Sequence, residues 1–284
     1  VAAFVAMFGF ASLSPAGAAT SAKLKNAPTA NANANFTARG SVGDAYVVDA
    51  TPGIELMLVD KDNKIVAEGK ADSAGSKVFY DQKMGPGYRV LSRKGNEVSA
   101  TKKFQILKID QNPPASFYKN KPLQEGLNYV TMRDGVELAM TVRLPQGKDL
   151  SDGPFPTFIE YSGYQTAAPH DLFNSLLGGD HDGLAPASST AVGSVLGPLL
   201  NFATVSVQMR GSGCSGGAFD LFGLPTTFDG YDAVETVGNQ DWVKGGKVGM
   251  GGISFSGITQ LFTAGTQPPH LAAIAPLSVT DDTY

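Results

Sequence analysis

Cysteine is nearly absent. Cys214 stands alone among 284 residues, so no disulfide closes within the chain. None follows the apolar N-terminal run, which excludes a lipid anchor there. Basic residues are scarce too: 22 Lys and Arg against 26 Asp and Glu give a formal net charge of -4. A nucleic-acid partner would favour a basic patch, so none is expected. Histidine occurs only at positions 170, 181 and 270, so few imidazoles are available as a general base or a metal ligand. No G-K-[ST] completes a phosphate loop. Asp60 and Asp62 lack the Gly and distal Glu of a calcium loop and read as turn residues. No metal and no organic cofactor is implied.

What is present has a clear order. Residues 1–11 are an apolar run, too short and too early for a membrane span. Ala16-Gly17-Ala18 after it fits an A-x-A cleavage site. Residues 1–19 are therefore expected to be a secretory signal peptide with a clipped start, and no stable membrane anchor is expected. Residues 20–39, rich in Ala, Asn and Thr, read as a low-complexity linker. Residues 40–108 hold short alternating stretches such as GIELMLVD, KVFYDQ and YRVLSRK, broken by Gly, Pro and Asn. They predict a small all-β sandwich. Residues 109–124, around Pro113-Pro114, read as a second linker.

From 125 to 284 the pattern changes. YVTMRDGVELAMTVRLP predicts a hairpin turning at Asp134-Gly135. FPTFIEYS (155–162) and FATVSVQMR (202–210) are continuous apolar runs, as strands buried on both faces would be. Phe228, Tyr231, Val234, Val237 and Trp242 recur at roughly helical spacing. KVGMGGIS, SGITQLFTAGT and LAAIAPLSV then read as strand, helix and strand. A hairpin followed by strand–helix alternation predicts an α/β sheet, parallel in its later part.

Ser254 sits at the turn of VGMGGISFSGITQLF. A serine on a tight strand-to-helix turn needs small neighbours two residues away, here Gly252 and Ser256, and Gly257 follows. Such a turn aims the Phe255 N–H at the reaction centre, where it can stabilise an oxyanion. A lone G-x-S-x-S in a Gly-rich chain also fits a plain turn; the strand before it and the helix after it favour a nucleophile. Tyr164, in the loop EYSGYQTAAPH, reads by itself as a surface aromatic. QMRGSGCSGGAFDLF (208–222) has glycines that let its backbone approach something. Arg210 there could bind a carboxylate, but pairing with a nearby acid to hold the loop is the better reading. Cys214 reads as a small buried residue.

MRDGVELAMTVRLP, FIEYSGY, QMRGSGCSGGAF, DGYDAVETVGNQDWVKGGKVGMGGISFSGITQLF and LAAIAPLS occur in that order. Together they resemble the Xaa-Pro dipeptidyl-peptidase / cocaine esterase (CocE/NonD) family of serine hydrolases over about residues 125–284. G-I-S-F-S-G is similar to that family's G-x-S-Y-x-G elbow, with Phe255 in place of Tyr. The resemblance implies an α/β-hydrolase fold, Ser254 as nucleophile, and two oxyanion donors, the Phe255 N–H and the Tyr164 hydroxyl. It implies a small peptide or ester substrate. The β-sandwich more loosely resembles leaders of some secreted bacterial members.

In that fold the acid and then the histidine follow the serine along the chain. His170 and His181 precede Ser254, the latter in GGDHDG, which reads as a solvated loop rather than a metal cluster. His270 directly precedes the next strand, at the edge opposite the elbow. Asp281 and Asp282 come one strand too early for the acid. The expectation is a fragment of a secreted serine hydrolase, lacking the triad Asp and His and the C-terminal strands, inactive or nearly so as it stands. A non-catalytic secreted binding module and a cell-wall acyltransferase using the same elbow are the alternatives.

Overall fold

The structure is a computed structural model and describes residues 24–164, 197 and 199–279. The expected signal peptide, His170, His181, Asp281 and Asp282 lie outside the described residues.

Nine short strands come first: β1 (Ala32–Asn33), β2 (Thr37–Gly40), β3 (Ala45–Val48), β4 (Glu55–Val59), β5 (Ile65–Lys70), β6 (Lys77–Phe79), β7 (Gly85–Lys94), β8 (Glu97–Ala100) and β9 (Phe104–Ile106). One sheet runs β1-β8-β7-β4-β5 with β9 on β7, and a second runs β2-β3-β6. Leu56, Leu58 and Val90 of the first sheet meet Ala45, Val47 and Phe79 of the second in one buried cluster. That is a small sandwich. The alternation Ile54, Leu56, Leu58 suggests a strand buried on one face only. In fact Met57 and Val59 are buried as well, in a separate cluster with Ala27, Leu91 and Val98. Residues near 27 cover the outer face and keep it dry. Asp60 makes a turn: its Oδ1 accepts the N–H groups of Asp62 at 2.9 Å and Lys64 at 2.8 Å.

The stretch around Pro113-Pro114 is more than a spacer. It carries helix α1 (Ala115–Lys119). Its Tyr118 is buried and donates a hydrogen bond to Asp232 at 2.8 Å. Only five residues long and flanked by prolines, the helix has too few turns to show a period in sequence.

A second six-stranded sheet follows. Its strands are β10 (Gly126–Thr131), β11 (Glu137–Arg143), β12 (Phe155–Ser162), β13 (Ala203–Gln208), β14 (Val243–Ile253) and β15 (Leu271–Leu277), in the order β10-β11-β13-β12-β14-β15. The first two form the expected hairpin, closed by Met132 N–H to Val136 O at 2.7 Å, with Gly135 at φ 84°. From β13 onward every pairing is parallel. With β12 at its centre, β12 and β13 are buried almost throughout. Helix α2 (Leu224–Gly238) links β13 to β14, and α3 (Phe255–Gly265) links β14 to β15. The two helices pack closely: a Cβ on Gly230 would fall 2.1 Å from Thr263 Oγ1. Trp242 lies past the end of α2, buried but not helical. This strand order, with its crossovers and elbow, is that of an α/β-hydrolase sheet.

The sandwich meets this sheet through Tyr46, Val48 and Val78, which join the sheet's core cluster. Asp44 is buried at this seam, and burial pushes its carboxyl up to about 6; the Asp81 N–H that it accepts opposes this, as does Arg210, while the charges of Asp220 and Asp81 add to it. A carboxylate whose folded pKa is raised holds its proton more tightly when folded, so stability falls as pH rises from about 4 to about 6. Asp44→Asn is therefore expected to raise stability by about 1–3 kcal/mol above pH 7 and to leave it unchanged below pH 4. Thermal unfolding at the two pH values checks this; an equal shift at both would show that the carboxylate charge is not the cause.

Candidate active site

Strand β14 ends at Ile253, and α3 begins at Phe255. Ser254 between them has φ 60° and ψ -115°. For a residue with a side chain this is strained backbone, costing about 1–3 kcal/mol, and it persists only where the surroundings over-determine it. They do so here. The Ser254 N–H donates to Leu277 O at 2.9 Å, tying the turn to the end of β15. Ser254 O accepts from Gly257 and Ile258, both at 2.9 Å, which starts the helix. Thr259 Oγ1 donates to Tyr161 O at 2.6 Å, and Gln260 Oε1 accepts from Ala275 N–H at 2.9 Å. Both bonds anchor α3 to neighbouring strands.

The small neighbours have steric reasons. Gly252 has φ 151°, and a Cβ there would fall 2.2 Å from Ser256 Oγ. A Cβ on Gly257 would fall 2.6 Å from Leu277 O. Ser256 is buried and donates to Ile253 O at 3.1 Å. The first turn of a helix leaves its N–H groups without intrahelical acceptors, so the Phe255 amide is available to a group bound at the elbow.

Tyr164 follows β12 at the same end of the sheet. Its hydroxyl is 3.5 Å from Ser254 Oγ. Its own residues read as a surface aromatic, and only the family resemblance gave it a place at the elbow. The residue is 37% exposed, with its hydroxyl at the elbow. The Phe255 ring contributes as well as its N–H: it meets the Tyr164 ring edge-on at 5.6 Å and lies 4.8 Å from the ring of Phe222. A Cβ on Gly163 would fall 3.0 Å from that ring. Phe222, at φ 56°, also stacks on Phe262 at 5.3 Å. Nothing local in the sequence marked Phe222; its partners are 33 and 40 positions away in number. The arrangement joins a strained serine, a phenolic hydroxyl and a helix N-terminus beside an aromatic wall. It places a serine hydroxyl, a phenolic O–H and a helix N-terminal N–H within reach of one bound group.

The remaining candidates lie elsewhere. His270, the one histidine among the described residues, sits at the start of β15, level with Val248. Six residue steps lead from Val248 to Ser254, about 20 Å at strand rise. His270 Nδ1 is 2.8 Å from Glu235 Oε2, and its backbone N–H donates to Glu235 Oε1 at 3.1 Å. It ties the start of β15 to helix α2.

Arg210 is 2% exposed. Its Nε and Nη2 donate to both oxygens of Asp229 at 2.7 Å, and Nη1 donates to Asp134 at 2.9 Å. It holds the loop and presents nothing to a substrate. Cys214 is exposed, contrary to the expectation of a buried residue. The loop closes early, with Gly211 N–H donating to Gly216 O at 2.9 Å; Ser212 and Ser215 bond back to Gln208 of β13, and Cys214 between them is left on the outside.

Residues 134–284 match the family model described as X-Pro dipeptidyl-peptidase (S15 family). Among solved structures, the chain is similar to a CocE/NonD family hydrolase from Staphylococcus aureus, with 24% identity and a TM-score of 0.44, covering 58% of this chain and 33% of that one. It is also similar to an aminopeptidase from a marine sediment archaeon, Thaumarchaeota archaeon, with 20% identity and a TM-score of 0.41, covering 59% and 26%. A third is an α-amino acid ester hydrolase, with 22% identity and a TM-score of 0.40, covering 53% and 24%. This chain thus spans a third or less of the length of these proteins. No curated protein matches it.

Proposed function

The chain belongs to the X-Pro dipeptidyl-peptidase (S15) family, and from that premise we propose that the whole protein is a secreted serine hydrolase whose nucleophile is Ser254. The observation that carries this reading is the strained serine at a strand-to-helix turn with the Tyr164 hydroxyl 3.5 Å from its Oγ.

Ser254 Oγ attacks the substrate carbonyl carbon, and its proton passes to a general base outside the described residues. The carbonyl oxygen takes up the negative charge. The Phe255 N–H and the Tyr164 hydroxyl donate to it as the tetrahedral intermediate forms. Collapse expels the amine or alcohol, which takes the proton back from the base, and leaves an acyl group on Oγ. Water attacks that ester by the same route and restores the serine. The bond cleaved is a peptide bond after proline at the second position, or a small ester or amide.

A fluorophosphonate probe tests the reading on the full-length gene product. Phosphonylation of Ser254, with loss of fluoride, is the expected result, mapped by mass spectrometry and absent from Ser254→Ala. Labelling at a different serine, or none, overturns it. Comparing an Xaa-Pro anilide with a p-nitrophenyl ester then assigns the substrate.

A further inference from the structure

The glycine-rich loop after β13 matches no phosphate loop, and its arginine is consumed by two carboxylates, so the glycines need another reason. Gln208, the last residue of β13, supplies one. It is 2% exposed and pairs with Ser162 at the end of β12. Its side chain reaches past that end. Nε2 donates to the backbone carbonyl of Tyr164 at 2.7 Å and to Ser212 Oγ at 3.0 Å. Ser212 in turn donates to Met209 O at 2.8 Å. Both hydrogens of the Gln208 amide are thus used, and the carbonyl acceptor at Tyr164 fixes which end of the amide faces it.

One of the glycines makes room for this side chain, and another lets the loop fold back on itself. A Cβ on Gly213, at φ 53°, would fall 2.7 Å from Gln208 Cδ. A Cβ on Gly211 would fall 2.1 Å from Phe219 N. What the loop's backbone approaches is its own strand end and, through Gln208, the loop that carries Tyr164.

Tyr164 is held from both sides. Its N–H donates to Ser162 Oγ at 3.0 Å, and its carbonyl accepts from Gln208. With both flanking peptide groups pinned, the direction of its Cα–Cβ bond is set. The Phe255 ring against its face then limits where the ring can turn. We propose that Gln208 is a positioning residue that aims the Tyr164 hydroxyl at the oxyanion. This rests on the proposed serine-hydrolase reading and assigns a further residue within it.

A donor misplaced by about 1 Å costs about 10²-fold in rate, because its stabilisation depends on geometry at the transition state. Gln208→Met keeps length and approximate volume and removes both N–H donors. In the full-length protein, with a p-nitrophenyl ester, it is expected to lower kcat by about 10–100-fold and to change KM by less than about twofold. The decisive measurement is a double-mutant cycle with Tyr164→Phe. Once the hydroxyl is gone, Gln208→Met is expected to cost less than about twofold more.

Gln208→Glu, which puts an oxygen where an N–H was, runs the same cycle if Gln208→Met does not fold. Equal losses with and without the Tyr164 hydroxyl, or no loss in kcat, overturn the inference while Ser254→Ala remains inactive. Retained activity in Ser254→Ala would instead overturn the reading beneath it.

Discussion

Ser254→Ala lowers kcat/KM of the full-length protein for a p-nitrophenyl ester by about 10⁴–10⁶-fold, the usual size of effect when the atom forming the covalent intermediate is removed. Alanine keeps the Cβ, so the strain at φ 60° stays as it was. The Ser254 N–H to Leu277 bond is a backbone bond and also remains. Stability is therefore expected to stay within about 0.5 kcal/mol, the range of a substitution that touches no core packing. Activity lost without stability lost separates a chemical role from a turn role. A plain turn serine would lose neither. Stopped assays and a melting curve on the same sample give both numbers.

Arg210→Met has the largest expected effect on folding. The guanidinium sits between Asp229 and Asp134, and all three side chains are at most 2% exposed. Burial alone pushes both carboxyls up. At Asp134 the charge of Arg210, together with the Ser41 hydroxyl and hydrogen bonds from the Val136 N–H and Arg210, outweighs burial and holds the carboxyl below its usual range, whereas Asp229 is still pushed up to about 7. Removing the cation leaves two buried carboxylates with no counter-charge. The expected cost is about 3–5 kcal/mol at pH 7.5.

The sign with pH follows. Without Arg210 both folded pKa values lie above the unfolded value, so the folded state binds more protons and stability rises as pH falls toward 4. The deficit should therefore shrink between pH 7.5 and pH 5. Adding Asp134→Asn and Asp229→Asn to Arg210→Met should recover part of the loss, since no unpaired charge then remains. Urea unfolding at both pH values checks the pair. A deficit equal at both would show that lost packing, not charge, is the cause.

The elements that carry Ser254 were legible because their signals are local. Continuous apolar runs marked β12 and β13, Asp134-Gly135 marked the hairpin, and small residues around Ser254 marked the turn. Each depends on neighbours within a few positions, where periodicity and backbone sterics act directly. Tyr164 came from the family resemblance; its own residues favoured a surface role. The short helix 115–119 escaped because five residues carry no period. Cys214 was misplaced because small apolar character does not reveal which way a tight loop turns.

The sequence by itself therefore determined the α/β class, the hairpin, the strand–turn–helix around Ser254 and the scarcity of histidines to serve it. Tertiary structure alone decided the partnerships. Tyr164 and Ser254 are 90 positions apart and meet at 3.5 Å. Gln208 and Tyr164 are 44 apart, and His270 is tied to Glu235 rather than to the elbow. A polar side chain carries the capacity to bond but not the identity of its partner. That identity is set by strand order, which puts β12 between β13 and β14 and so brings three loop ends to one edge of the sheet.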